Sequence, residues 1–313
     1  MAEIVISEFM EQASVDDLAA DFDVLYDPDL FQREAELCAA LAPARALIVR
    51  NRTQVRGAVL AAGPRLEAVG RLGVGLDNLD LEACAARGLR VLPATGANDV
   101  SVAEYVLATM LILLRGAYFS NAAMLSGVWP RERLVGHEIA GKQLALVGFG
   151  SIARVVAARA RALGMLVSAY DPYVRKGEPA WHGILYCPTL EQLLGAADVV
   201  SVHVPLLPET RSLIDAAALA ALPPGAILIN AARGGIVDEA ALVDALKSGR
   251  LAGAALDVFE EEPLSAATAQ RFEGAPNLIL TPHIAGRTVE CDVRVSAVVA
   301  DGVRRALQSA PSR

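Results

Sequence analysis

The stretch Leu144-Ala-Leu-Val-Gly-Phe-Gly-Ser-Ile-Ala153 decides the fold: an apolar run enters a glycine-rich turn and leaves it in a segment rich in Ala, Val and Arg. That order of strand, turn and helix is a dinucleotide-binding fingerprint. Gly148 allows the sharp turn, and Gly150 lets the backbone approach a pyrophosphate. The helix opening near Ser151 offers unpaired N–H groups and a positive dipole end to its phosphates. Ala153 stands at the third position, a variant the fingerprint allows. Met165-Leu-Val-Ser-Ala-Tyr170 then reads as a second strand ending in Asp171, 21 residues beyond Gly150. A carboxylate there accepts hydrogen bonds from the adenosine ribose and repels a 2′-phosphate, so NAD is expected rather than NADP. Alone, a Gly-x-Gly-x-x-Ala is an ordinary tight turn; strand, turn, helix, strand and acid in register raise it above that.

Outward from this stretch the same alternation continues. In the N-terminal part Ile4-Val-Ile6, Val24-Leu-Tyr26, Ala46-Leu-Ile-Val49, Leu66-Glu-Ala-Val69 and Leu89-Arg-Val-Leu92 are apolar runs separated by helical segments. This βαβα pattern predicts a mostly parallel sheet covered on both faces, over residues 1 to about 98. Asp99 to Ala117 reads as one long helix, with Asp99 or Ser101 as its N-cap and Glu104 in its first turn. Six further strands are expected near 144–148, 166–170, 198–204, 226–230, 253–257 and 277–281, giving a second doubly wound sheet. A last helix, roughly Thr288 to Leu307, is expected to pack back on the first domain.

With 313 residues, 54% hydrophobic and 20% charged, the chain has the material for two buried cores. A net charge of −8, a pI near 5.1 and the lack of a lysine-rich run argue against nucleic-acid and anionic-membrane partners. An anionic ligand must therefore be held by local arginines. Met1-Ala-Glu-Ile-Val-Ile-Ser-Glu-Phe-Met10 has an acidic start and no long apolar core, unlike a signal peptide. The apolar run Tyr105 to Leu114 falls short of the roughly 18 to 20 residues that cross a bilayer. A soluble, cytoplasmic protein is the expectation. Cys38, Cys84, Cys187 and Cys291 show no C-x-x-C spacing, so neither a metal site nor a disulfide framework is expected, and they read as buried apolar residues.

In doubly wound sheets ligands bind beyond the carboxyl ends of the strands. Four such ends carry polar segments: His203-Val-Pro205, Asn230-Ala-Ala-Arg-Gly-Gly-Ile-Val-Asp238, Asp257-Val-Phe-Glu-Glu-Glu-Pro263 and Thr281-Pro-His-Ile-Ala-Gly286. Together they supply an arginine, carboxylates and two histidines. Taken with Gly73-Val-Gly75-Leu-Asp77-Asn78, Ser101-Val-Ala-Glu104 and Gly148-x-Gly150, these segments resemble, in order and over nearly the whole chain, the D-isomer-specific 2-hydroxyacid dehydrogenase family.

The resemblance implies a Rossmann NAD domain, residues 99–286, inserted into a flavodoxin-like substrate domain of residues 1–98 and 287–313. It implies hydride transfer between nicotinamide and a small 2-hydroxy or 2-keto acid, with His283 as acid/base, Glu262 as its carboxylate partner and Arg233 as the clamp on the substrate. The chemistry is coherent on its own terms. Reducing a 2-keto acid needs a proton at the carbonyl oxygen as hydride arrives, and imidazole titrates near neutrality. A carboxylate beside the ring favours imidazolium, and a guanidinium fork matches a carboxylate and steadies charge growing on oxygen. The resemblance further implies Ser151 and Ile152 at the pyrophosphate, Asp171 at the ribose, and Ala231 and Ala232 along the cofactor. It places Asp257 near the nicotinamide, Gly286 close by, and His203 on the cofactor side. The N–H groups of Val74 and Gly75 would cradle the substrate carboxylate. His137 and His182 lie in connecting segments and read as structural or solvated.

For the substrate the informative segment is Val49-Arg-Asn-Arg-Thr53. Arg50 and Arg52, two apart in extended chain, point to one side and suit a second anionic group, as in a phosphoglycerate- or sulfolactate-like acid. Both are equally readable as surface arginines, which leaves a glyoxylate or hydroxypyruvate reductase as the alternative. The N-terminal stretch, Asn51-Arg-Thr-Gln54 and Ala94-Thr-Gly-Ala-Asn98 resemble the sulfolactate dehydrogenase branch of the family. Formate-oxidising relatives carry Gln where this chain has Glu262, and with the sequence ending near residue 313 an added regulatory domain is not expected. An amino-acid dehydrogenase would need a lysine at these strand ends, where none occurs. An NAD(H)-sensing corepressor-like binding protein is the non-enzymatic alternative, disfavoured by the short tail Gln308-Ser-Ala-Pro-Ser-Arg313. The resemblance also implies a homodimer formed around the cofactor domain through the 99–117 helix and the segment to Trp129.

Overall fold

A computed structural model describes residues 2–309; Met1 and the tail Ala310–Arg313 lie outside the described residues. The chain forms two compact units, one running to Asn98 and resuming at Arg287, the other spanning Asp99–Gly286.

In the first unit the strands are β1 (Ile4–Ile6), β2 (Val24–Tyr26), β3 (Ala46–Val49), β4 (Ala68–Arg71) and β5 (Arg90–Pro93). All pair in parallel in the order β2-β1-β3-β4-β5, the flavodoxin-like order. β1 and β3 are fully buried along their lengths, which is why both read as unbroken apolar runs rather than alternating ones. The helix Val289–Gln308 closes one face. Thr288 caps it by accepting the N–H of Cys291 at 3.1 Å. Cys291, Val295, Val299, Val303 and Leu307, spaced by four, then form one stripe that packs with Ile4, Ile48 and Ala68 in a single core. The packing reaches the backbone at Gly70, where a Cβ would lie 2.6 Å from Val299 Cγ1.

The strand order reverses between β1 and β3, so the segments following those two strands, Ser7–Phe9 and Arg50–Thr53, share the carboxyl rim. Glu8 ties them together. Its buried carboxylate accepts the N–H groups of Arg50 (2.9 Å), Arg52 (3.1 Å) and Thr53 (2.9 Å). Asn78 braces the same loop by donating to the carbonyls of Arg50 and Thr53.

The second unit holds β6 (Gln143–Val147), β7 (Leu166–Tyr170), β8 (Leu185–Tyr186), β9 (Val199–Val202), β10 (Ala226–Asn230), β11 (Leu251–Leu256) and β12 (Leu278–Leu280). Their order is β12-β11-β10-β9-β6-β7-β8, all parallel, with the reversal between β6 and β9 that marks a Rossmann sheet. Six strands were expected here; the seventh, β8, is a two-residue edge strand beside β7, too short to leave a periodic signal. One face of the sheet is covered by the helices Asp99–Arg115 and Ser151–Ala162, which bury Val106, Met110, Val156 and Ala160 in one core. The opposite face buries Leu193, Leu219, Leu242 and Phe272 in another.

Several boundaries differ from the expected ones. The strands placed at 66–69 and 89–92 lie at 68–71 and 90–93, because the turns before them take up Leu66 and Leu89. The long helix stops at Arg115, where Gly116 turns left-handed (φ 61°), so Ala117 opens a short 3-10 turn instead of extending the helix. Asp99 and Ser101 both lie within its first turn, not ahead of it. Among the described residues no helix is long and apolar enough to cross a membrane.

Candidate functional site

The carboxyl rim of the second sheet gathers the segments that follow β6, β9, β10, β11 and β12. After β6, Gly148 has φ 91° and its N–H donates to Tyr170 O (2.8 Å). A Cβ there would sit 2.5 Å from His203 O, so only glycine satisfies both the conformation and the close approach. Gly150 precedes the helix Ser151–Ala162, and a Cβ on it would meet open space. Ser151 is exposed, and Ile152 packs partly against the core beneath. Asp171, at the end of β7, uses one carboxylate oxygen to accept Phe149 N–H (2.8 Å) and the other to accept Tyr173 and Val174 N–H (2.8 and 3.2 Å). The oxygen bonded to Phe149 alone, Oδ2, keeps a lone pair for a ribose hydroxyl. The glycine turn, the open space at Gly150, the uncapped helix N-terminus and the oriented carboxylate together fit an adenine dinucleotide.

The two histidines of the rim are chemically distinct. His203, after β9, is bonded through its ring Nε2 to Ser201 Oγ at 2.9 Å, and burial pushes it down to about 4. It is therefore neutral at physiological pH and unsuited to deliver a proton.

His283, after β12, has an exposed ring whose Nδ1 lies 2.7 Å from Glu262 Oε2. Burial pushes the Glu262 carboxyl up, but the hydrogen bond from His283, the N–H of Phe259 at 3.0 Å and the charges of His283 and Arg233 outweigh it, holding the group below the usual carboxylate range. Glu262 is thus an acceptor, and Nδ1 must carry the proton. Nε2 is the ring nitrogen that this bond leaves available to a ligand.

The backbone that presents His283 is built around Asp257, 1% exposed at the end of β11. Its Oδ1 accepts Thr281 Oγ1–H (2.6 Å) and Ile284 N–H (2.8 Å), and its Oδ2 accepts Ala285 N–H (2.8 Å). Its main-chain oxygen accepts His283 N–H at 2.7 Å. His283 is held with φ 54°, a conformation uncommon for a side chain of that bulk. Gly286, half-buried, ends the segment.

After β10 the buried Asn230 shapes the arginine loop. Its side chain accepts Ala232 N–H (3.0 Å) and donates to Arg233 O (2.9 Å). Ala231 and Ala232 pack partly against the two cores. Gly234 then passes so close to the next loop that a Cβ would stand 1.7 Å from Phe259 O. This contact couples the half-buried Arg233 to the loop carrying Glu262. Arg233, Glu262 and His283 therefore belong to one network.

In the first unit, Gly73 crosses beneath Arg71, whose Nη1 would be 1.7 Å from a Cβ there. The N–H groups of Val74 and Gly75 beyond it have no acceptor among the described residues. The structure separates the two arginines that the extended spacing placed together. Arg50 is 8% exposed, with Nη2 2.6 Å from Asp292 Oδ1 and Nε donating to Phe9 O at 3.0 Å. Arg52 is exposed, with its guanidinium carbon 5.0 Å from the centroid of the Phe31 ring. The sequence did not single out Glu8, Asn230 or Tyr105, whose roles lie in hydrogen bonds to loop backbone or to a half-buried hydroxyl. Tyr105 OH lies 2.7 Å from Thr281 Oγ1. Among the described residues no cluster of three or more His, Cys, Asp or Glu is placed to hold a metal.

The family model described as D-isomer specific 2-hydroxyacid dehydrogenase, NAD binding domain, matches residues 107–285. The chain is 54% identical over 307 residues to an (S)-sulfolactate dehydrogenase of Chromohalobacter salexigens, covering 98% of this chain and 99% of that protein. It is 42% identical over 306 residues to a D-3-phosphoglycerate dehydrogenase of Mycobacterium leprae, covering 97% of this chain but only 56% of that protein's length. Among solved structures, the TT0316 protein of Thermus thermophilus superimposes with a TM-score of 0.88 at 34% identity, over 97% of this chain and 96% of the other.

The pairing of His283 with a carboxylate can be tested by Glu262→Gln, which keeps the shape and removes the charge. Turnover of a 2-keto acid with NADH should fall about 10²-fold, measured by the loss of NADH absorbance. Turnover within twofold of wild type would show that the carboxylate does not serve the imidazole.

Proposed function

We propose, given that this chain belongs to the D-isomer-specific 2-hydroxyacid dehydrogenase family, that its substrate is a 2-hydroxy acid carrying a second strong anion, a sulfonate or a phosphate. The protein is an NAD-dependent 2-hydroxyacid dehydrogenase. When bound, NAD accepts or returns the hydride of the substrate's C2. The protein's own part is to bind, orient and move one proton. In this reading Gly148, Gly150, Ser151 and Ile152 hold the pyrophosphate. Asp171 holds the ribose, while Ala231, Ala232, His203, Asp257 and Gly286 line the remainder of the cofactor. Arg233 clamps the substrate carboxylate and carbonyl oxygen, and Val74 and Gly75 cradle the carboxylate through their N–H groups. His283 takes the hydroxyl proton during oxidation and gives it back during reduction, steadied as imidazolium by Glu262.

The observation that carries the substrate assignment is the exposed guanidinium of Arg52. It stands on the rim at the switch point of the first sheet, on a loop fixed by Glu8 and against the Phe31 ring. An arginine so placed offers two parallel donors to a tetrahedral anion. Arg50, buried and paired with Asp292, supports that loop and adds less to recognition. The 54% identity over nearly the full length of a protein named (S)-sulfolactate dehydrogenase favours the sulfonate.

A second copy of the chain is the proposed partner. The second unit exposes Tyr118, Phe119, Leu125, Trp129 and Val135 within one short span, with Leu125 90% and Trp129 74% exposed. Apolar surface of that density ordinarily lies in an interface. Light scattering at micromolar concentration should give the dimer mass, and a monomer mass would refute it.

The substrate assignment is tested with NADH and a panel of 3-sulfopyruvate, 3-phosphohydroxypyruvate, hydroxypyruvate and glyoxylate. A dianionic acid should be preferred by kcat/KM, and Arg52→Ala should lower that value about 10- to 100-fold for the dianion while leaving glyoxylate within about twofold. Equal use of the simple acids, untouched by Arg52→Ala, would instead make the enzyme a glyoxylate or hydroxypyruvate reductase.

A further inference from the structure

We propose that Tyr105 is a positioning residue for the reaction: through Thr281 and Asp257 its phenol fixes the segment on which His283 is presented. The inference rests on the reading of His283 as the acid/base.

Tyr105 lies on the helix Asp99–Arg115, far in sequence from the rim, yet its hydroxyl oxygen is 2.7 Å from Thr281 Oγ1. Thr281 Oγ1 is in turn 2.6 Å from Asp257 Oδ1. The direction of the chain follows from counting hydrogens. Thr281 has a single hydroxyl hydrogen, and the carboxylate can only accept it. Thr281 must then accept from Tyr105. Burial, partly countered by the bond to Thr281, pushes the Tyr105 phenol up to about 12, so it keeps its proton and remains the donor at all working pH values.

The far end of the chain is the part that bears on catalysis. The carboxylate of Asp257 bonds Thr281, Ile284 and Ala285, which flank His283 on both sides. The same residue's carbonyl holds the N–H of His283. The segment thus carries its histidine in a strained left-handed conformation because one buried carboxylate gathers the residues around it. Tyr105 supplies the hydrogen bond that orients the Thr281 hydroxyl toward that carboxylate. Without it the hydroxyl is free to rotate, the hold on Asp257 weakens, and the imidazole loses its alignment. Misplacement of a reacting group by about 1 Å can cost up to 10²-fold in rate. An apolar packing role would need only the ring, which phenylalanine also has.

The test compares Tyr105→Phe, Thr281→Val, Thr281→Ser and the double variant Tyr105→Phe/Thr281→Val, reading kcat, KM for NADH and the melting temperature. Tyr105→Phe and Thr281→Val should each lower kcat about tenfold with KM for NADH within about twofold. The double variant should be no slower than Thr281→Val, since both break one chain. Thr281→Ser, which retains the hydroxyl, should restore kcat. Wild-type kcat in Tyr105→Phe, or additive losses in the double variant, would overturn the inference, as would a fall in melting temperature with kcat unchanged. If Thr281→Val does not fold, Tyr105→Phe and Thr281→Ser decide the matter alone. His283→Ala serves as the control. If it turns over normally, the acid/base reading fails and this inference falls with it. If it is impaired while Tyr105→Phe is not, only the present inference fails.

Discussion

A carboxylate taken out of water must be surrounded by donors, and the carboxyl rim of the second sheet is arranged around that requirement at Asp257. Folding satisfies it by drawing the chain after β12 into a tight arc, so that the Thr281 hydroxyl and two backbone N–H groups reach one side chain. His283 has no freedom to relax out of its left-handed conformation while that arc is intact. His283 is thereby placed by the backbone, and its ring is aligned by Glu262. Strain at one residue is offset by hydrogen bonds that would otherwise be unmade.

The first unit repeats the device with different residues. Glu8, buried at the end of β1, collects the N–H groups of Arg50, Arg52 and Thr53 after β3. The loop that results turns one arginine inward to an ion pair with Asp292 and the other outward against Phe31. In both units a buried acid at a strand's carboxyl end shapes the loop that carries the cationic or proton-bearing side chain. Gly234 extends the principle by contact alone, since its missing Cβ lets the Arg233 loop lie against the Glu262 loop.

Much of this was legible from the residues. Parallel strands buried on both faces leave continuous apolar runs, so eleven of the twelve strands among the described residues could be placed to within a few residues. The exception, β8, is two residues at a sheet edge and carries no period. Gly148 and Asp171 were readable because turn and acid fall at a characteristic spacing. The fates of Arg50 and Arg52 were not, since alternation in an extended chain stops applying once Glu8 bends the loop between them. Tyr105 was hidden differently: at its place on an apolar helix it resembles any core aromatic, and only the position of Thr281 in three dimensions gives its hydroxyl a partner. The left-handed backbone of His283 also has no sequence signal, because a glycine would ordinarily mark such a site.

His283 is the group proposed to move the proton, and the most direct test measures cofactor binding and turnover together in His283→Ala. NADH should bind with an affinity within about twofold of wild type, since the glycine turn and Asp171 are untouched, while keto-acid reduction falls by about 10³-fold or more. Turnover near the wild-type rate would contradict the account, because the proton would then come from another group on the rim.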